Sequence, residues 1–501
     1  MQMASHLFTW LALGCTTTYF LLFFLLLRHR PRRKSQLPNL PPGPAPLPII
    51  GILHKLGDRP HISLAELSKH HGPLMSLRLG HVTTIVASSP AVAREILQKN
   101  DQHIASRFVP DAVHAFDHDK RSLAWSPMNY FWRHLRRISA TQLFTNERLD
   151  KNQGLRRAKV QELLDHVRSC CSEGLPVDIG RAAFVTVINL ISNTVFSVDL
   201  VGLNSESSHE FKETVWAILV ETGRPNLSDY FPVLRWMDLQ GRRRRQRANF
   251  HKLYVFFDEM IDNRLRHASA NATCRDFLDV LLQSLQRSEI DRVTIKSLLT
   301  DIFVAGSDTS SSTVEWAMAE LLHNPKAMAR AQAELSEIIG FGNHIEESDI
   351  VRLPYLQSIV KETLRLHPPA PFLLPRKAED DVDVGGFTVP KHAQVLVNVW
   401  AIGRDTSVWE DPNKFNPARF MGSGLNYRGK NFELIPFGSG CRTCPGLPLA
   451  DRMVHSMLAS LLSSFHWSLP EEMSSRDMDM SDMFGLTLTK AIPLLAVPTR
   501  Y

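Results

Sequence analysis

At 501 residues, with 44% hydrophobic and 22% charged side chains, the chain is long and apolar enough to bury a substantial core, which excludes a disordered protein. Its formal charge of +6 is modest, and the basic runs Arg28–Lys34 and Arg242–Arg247 are not interleaved with aromatic residues, which argues against a nucleic-acid binder. Six cysteines (Cys15, Cys170, Cys171, Cys274, Cys441 and Cys444) are too few for a disulfide scaffold and suit reduced surroundings.

Residues 1–6 read as a short tail and 7–27 as an apolar segment ending in FLLFFLLL. As a helix this segment is about 30 Å long, enough to cross a bilayer core. Arg28, Arg30, Arg32, Arg33 and Lys34 follow at once, whereas only His6 precedes. The positive-inside bias therefore makes the segment a single-pass anchor with a lumenal tail and leaves the rest in the cytosol. A cleaved signal peptide is the alternative, weakened by the missing basic leader and the basic stop behind the apolar run. Residues 28–51 join that stop to a strap, LPNLPPGPAPLPIIG, in which five of the ten residues from Pro38 to Leu47 are proline. Proline lacks a donor and restricts its predecessor, so the strap is stiff and non-helical.

Residues 52–501 show no dividing linker and read as one large, mainly helical body with small sheets. Strands are expected at 74–80 and 82–88 around a turn near Gly80, then a short helix at 91–99. Helices follow at roughly 129–144, 153–169, 180–196, 208–221, 243–268, 294–322 and 355–367. Weak strands come at 382–389 and 394–398, and a last helix at 447–467.

Several stretches carry candidate chemistry. WRHLRR, 132–137, puts Trp132 and Arg136 on one helix face. AGSDTS, 305–310, interrupts the longest helix with Gly306 and Ser307, poor interior residues costing up to about 1 kcal/mol each. Either the helix opens there beside a ligand, or Gly306 is a packing notch. KETLRLHP, 361–368, sets Glu362 and Arg365 on one face, usually a surface pair, and NPARF supplies Arg419. PFGSGCRTCPG, 436–446, precedes an apolar helix, and its glycines permit tight turns. Cys441 and Cys444 are spaced for half a zinc site or a dithiol, but no second pair and no strand–helix dithiol context accompany them. No lysine follows the glycines as a phosphate loop requires. A structural turn and a single thiolate ligand at a helix N-terminus remain.

Taken together these stretches resemble cytochrome P450 enzymes over essentially the full chain. The resemblance implies a P450 fold, mainly α with small β-sheets, in a single large haem domain at 52–501 behind an N-terminal transmembrane anchor. FGSGCRTCPG looks like the haem-binding loop, with Cys444 as axial ligand to the iron of haem b (iron protoporphyrin IX) and Phe437, Arg442 and Gly446 beside it. Glu362, Arg365 and Arg419 resemble the Glu–Arg–Arg network behind the haem. AGSDT resembles the oxygen-binding motif, in which Thr309 bonds dioxygen or a water and Asp308 relays protons. Trp132 and Arg136 resemble the haem-propionate pair, and Arg376 in LLPRKAED is a further propionate candidate. Cys441–Arg442–Thr443 departs from the family's pattern by replacing an arginine with Cys441, which removes charge beside the ligand.

AVHAFDHDKRSLAW, VDIGRAAFVTVINLISNTVFSVDL and HPPAPFLLPRKAE are similar to plant P450s of the geraniol-hydroxylase and ferruginol-synthase family. The resemblance implies hydroxylation of a small apolar terpenoid, first a geraniol-type monoterpene alcohol and second an abietane-type diterpene. A reductase-independent isomerase or dehydratase is a further alternative, against which Thr309 and Asp308 count. Phe116, Val304, Ala305, Phe372, Leu373 and Phe484 are the expected substrate contacts. No flavin or nicotinamide loop is visible, so electrons from NADPH are expected through NADPH–cytochrome P450 reductase. Topology and resemblance together imply the endoplasmic reticulum membrane.

Overall fold

The computed structural model describes residues 39–202, 206–267, 276–340, 342–471 and 473–500, with Gly14 and Thr18. Apart from those two, the segment 7–27 expected to be an anchor lies outside the described residues, as does the basic stop. The chain divides into two units, Met1–Asn39 and Leu40–Tyr501.

Within the larger unit the end of the proline strap lies along a strand. Ser76 donates its amide to Pro42 O at 2.9 Å and its hydroxyl to Pro41 O at 2.6 Å. Prolines have carbonyls but no donors, so this segment binds a strand edge only as an acceptor. That strand, β1 (Leu74–Leu79), pairs antiparallel with β2 (Val82–Ala87) about a turn at Gly80, whose φ is +57°. A five-stranded sheet is completed, in chain order, by β3 (Ser106–Arg107), β4 (Arg376–Lys377) and β5 (Gln394–Val397). Its order is β1-β2-β5-β4-β3, and Arg107 lies directly opposite Arg376.

The helices carry most of the core. They are α1 (Pro60–His71), α2 (Tyr130–Leu143), α3 (Gln153–Glu173), α4 (Ile179–Phe196), α5 (Glu206–Gly223), α6 (Arg242–Arg266), α7 (Arg292–His323), α8 (Pro354–Leu366) and α9 (Leu447–Ser464). Helix α4 is long and apolar enough to cross a membrane, but 83% of it is buried inside the protein, so it is a core helix. Its most extensive partner is α7, buried along most of its length. Phe303 on α7 is fully buried among Phe196, Phe211 and Phe257.

Local differences from the sequence expectations have physical causes. The expected strand 382–389 folds back on itself as Val382–Val384 and Phe387–Val389, because Gly385 and Gly386 take φ of +61° and +79° and make a turn. The expected helix 447–467 ends at Ser464. Phe465–Ser468 alternates buried and exposed residues and pairs with Leu495–Arg500 as a strand. The short helix at 91–99 begins at Pro90, capped by Ser89, and widens into a π turn at Glu95–Lys99. Two further short strands, β6 (Asp482–Phe484) and β7 (Leu488–Lys490), form a hairpin.

Candidate active site

The cysteine loop is shaped by two left-handed glycines, Gly438 (φ +71°) and Gly440 (φ +75°). A Cβ on Gly440 would overlap Leu97 O and the Asp101 carboxylate, so only glycine lets the loop pack on residues 97–101. The turn closes through Cys444 N to Phe437 O at 3.0 Å and Thr443 N to Gly440 O at 3.1 Å. Cys444 then stands just before Gly446, the N-cap of α9. Its residue surface is exposed, yet so many protein atoms surround the thiol that burial raises its pKa. The Gly446 amide, the Arg136 guanidinium and the Leu447 amide pull the other way, stabilising a thiolate at the helix N-terminus. A Cβ on Gly446 would only touch Sγ at 3.8 Å, so protein packing alone does not require glycine there.

The second cysteine is engaged elsewhere. Cys441 N donates to Asp101 Oδ2 at 2.6 Å, its Sγ lies 3.1 Å from Met128 Sδ, and both cysteines are free. Burial and the Asp101 carboxylate push the Cys441 thiol up to about 11. Among the described residues no group of three or more histidine, cysteine or acidic side chains is arranged to hold a metal ion, so the paired-cysteine zinc reading finds no partners.

Around the loop lies a set of cations with few carboxylates. Antiparallel register sets Arg107 beside Arg376, and directly opposed like charges are unfavourable. Arg376 donates to Asp101 Oδ1 at 2.8 Å and Ser439 O at 3.2 Å; Arg107 donates to Ala124 O and Leu374 O. Arg442 donates to Ala105 O at 3.1 Å and Ser126 O at 2.6 Å, and lies 4.2 Å over the Trp132 ring. Its Nη1 is buried without a hydrogen-bond partner among the described residues. Burial first, then neighbouring arginines, hold Arg107 well below its usual value, and burial lowers Arg442 to about 10. Arg136 donates to Thr443 O at 2.6 Å, and Trp132 Nε1 to Leu123 O at 2.9 Å. The expected residues Trp132, Arg136, Arg376 and Arg442 therefore gather at one loop. Arg107 joins them unforeseen, since a lone arginine in a two-residue strand has no sequence signal and only the register reveals it.

Helix α7 runs unbroken through AGSDT, and of the two alternatives Gly306 is the packing notch: a Cβ there would lie 2.8 Å from Ile191 Cδ1 on α4. Thr309 Oγ1 donates to Ala305 O at 2.7 Å. Ala305 is exposed although Phe303, Val304, Ser307 and Asp308 are buried, so α7 leaves one small residue uncovered at mid-length. Asp308 accepts a hydrogen bond from Thr487 Oγ1 at 2.8 Å, and burial raises its carboxyl to about 6.

The Glu–Arg–Arg set is buried rather than a surface pair. Glu362 meets Arg365 through two hydrogen bonds, at 2.7 and 2.8 Å, and Arg419 Nε at 3.0 Å. Arg365 also donates to Gly403 O, Pro412 O and Lys414 O, tying the 403–419 segment to α8. Among the expected substrate contacts, Phe372 and Phe484 meet at 6.1 Å, Phe484 stacks on His61, and Leu373 approaches Gly438. Phe116 packs against Tyr254 and Arg247 of α6, and Val304 belongs to the buried core.

An uncovered thiol at a helix N-terminus, an arginine set with one orphaned guanidinium nitrogen and a loop glycine that packing does not require fit a flat, anionic iron macrocycle. Cys444 would ligate its iron and the arginines would meet its carboxylates.

The cytochrome P450 family profile matches residues 41–495. A geraniol 8-hydroxylase from Swertia mussotii is 54% identical over 93% of this chain and 94% of its own. A drimenol monooxygenase from Persicaria hydropiper is 50% identical over 92% of both chains. A zebrafish cytochrome P450 solved with progesterone superposes with a TM-score of 0.74 at 26% identity, covering 88% of this chain and 99% of that one.

Proposed function

This chain belongs to the cytochrome P450 family and is a monooxygenase, and from that premise we propose that it hydroxylates a small terpenoid alcohol of the geraniol type. The observation that carries the substrate class is the 54% identity to a geraniol 8-hydroxylase along 93% of the chain. The aromatic contact of Phe372 with Phe484 supplies apolar surface suited to such a guest.

Haem bound here would supply thiolate-supported dioxygen activation, the chemistry needed to insert one oxygen atom into a C–H bond. The chain's own residues hold and meter. Cys444 would hold the iron, with the α9 amides moderating its electron donation, and Arg107, Arg136, Arg376 and Arg442 would neutralise the carboxylates. The Glu362–Arg365–Arg419 set fixes the 403–419 segment. Thr309 offers a hydroxyl beside uncovered Ala305, and Asp308 holds an exchangeable proton. Electrons from NADPH arrive through NADPH–cytochrome P450 reductase. Residues 7–27 anchor the enzyme in the endoplasmic reticulum membrane with residues 52–501 in the cytosol.

Microsomes carrying this chain with reductase and NADPH, offered monoterpene alcohols and abietane diterpenes, should hydroxylate the former. Turnover of the diterpenes alone would transfer the assignment to the second reading, whose branch shares the AVHAFDHDK stretch. Product formed without reductase would overturn the monooxygenase cycle proposed.

A further inference from the structure

The β6–β7 hairpin, which carries the expected substrate contact Phe484, touches α5, α7 and the segment after α8. At its turn Gly485 N donates to Thr487 O at 2.9 Å, and Leu486 N donates to Leu219 O of α5 at 2.9 Å. Gly485 packs close to Trp216 of the same helix, and a Cβ on Gly223 would overlap the turn's backbone. Leu488 N reaches Pro369 O at 2.8 Å, and Ser312 of α7 donates to Leu488 O at 3.2 Å. Between these contacts the buried Thr487 hydroxyl donates to Asp308 Oδ2 at 2.8 Å.

We propose that Thr487 is a positioning residue for Asp308: its hydroxyl fixes the orientation and proton exchange of the buried carboxyl, so that the hairpin seated on α5 also controls proton supply. With Oδ2 held by Thr487, the proton is carried and released at Oδ1. A guest that shifts α5 or the hairpin changes this hydrogen bond, and proton delivery follows substrate fit. Burial is the main influence raising the Asp308 carboxyl, and the Thr487 hydroxyl is the main influence opposing it. Lys212 on α5 is the charged group acting on Asp308 among the described residues. Helix α4 brings apolar Ile191 to the neighbouring Gly306, while Lys490 on the hairpin acts on Glu315, further along α7.

The catalytic arm of this inference rests on the monooxygenase reading, and its spectroscopic arm does not. In the ferric holoenzyme the infrared carboxylic-acid band of Asp308, identified by its loss in Asp308→Asn, should vanish as pH rises through its midpoint. Thr487→Val removes the bond that favours the ionised form, so the midpoint should move to higher pH, and Thr487→Ser should restore it. In turnover, Thr487→Val should lower product per NADPH several-fold and release the missing electrons as hydrogen peroxide, with Thr487→Ser again near wild type. Thr487→Ala gives the same comparison where valine disturbs folding. An unmoved midpoint, or a serine variant that behaves like valine, overturns the positioning role. A moved midpoint with unchanged product yield overturns the link to proton supply. If the midpoint moves while no hydroxylated product forms even in the wild type, the failure lies in the function reading and the positioning stands.

Discussion

Cys441 and Cys444 look equivalent by spacing, and their surroundings separate them. Cys444 ends a turn aimed at the N-terminal amides of α9, whereas Cys441 has its amide on Asp101 and its sulfur on Met128. Cys444→Ser should abolish the thiolate signature of the reduced carbon monoxide complex, while Cys441→Ser should retain it; equal behaviour would revive the paired reading. Asp308 permits a second prediction at this scale. Its folded pKa is raised above the unfolded value by burial, so its contribution to stability is fully present below about pH 4 and is lost as pH rises through about 6. The linkage amounts to about 2–3 kcal/mol at most. Asp308→Asn should flatten the fall in melting temperature across that window, which thermal unfolding at a series of pH values measures.

At the scale of elements, the crossing of α4 and α7 turns on Gly306. Alanine favours a helix interior by about 1 kcal/mol over glycine, but its Cβ would press on Ile191 Cδ1 at 2.8 Å. Because Cδ1 is the far end of a flexible side chain and can turn aside at a rotamer cost, Gly306→Ala should lose no more than about 1 kcal/mol net. Ile191→Val, which lacks that methyl, should recover most of the loss when combined with it, as a denaturation cycle of the four proteins would show. The Glu362 junction is less forgiving. Its carboxylate and Arg365 are both buried, and removing one partner strands the other. Glu362→Ala should cost about 3–5 kcal/mol and reduce haem retention, read as the ratio of haem to protein absorbance; a fully loaded variant would show the junction does not hold the cysteine loop.

For the molecule as a whole, the family and architecture were legible because helices such as α7 are long and because four motifs occur in order. The thiolate loop and AGSDT each sit in one short window, and the Glu–Arg–Arg set in two, KETLR and NPARF. What stayed hidden depends on register or on distant pairing. Arg107 gains meaning only opposite Arg376, Thr487 only against Asp308, and Phe465–Ser468 only beside a strand near the C-terminus. Gly306 was legible as an oddity, and its cause waited for Ile191. The anchor proposed at 7–27 has a whole-molecule test of its own: deleting residues 1–34 should move the protein from the membrane pellet to the supernatant, and a truncated chain that still pellets would point to a second membrane contact.

The Arg107–Arg376 pairing has a consequence for how the protein matures. Asp101 offsets only one of the two cations fixed on neighbouring strands, so part of their repulsion stands until a further anion arrives. Ions at about 0.15 M screen beyond roughly 8 Å, so salt should relieve that repulsion and weaken the pull on an incoming dianion together. Ionic strength would then govern how quickly the chain captures its cofactor, leaving the finished enzyme, with its charges matched, comparatively indifferent to it.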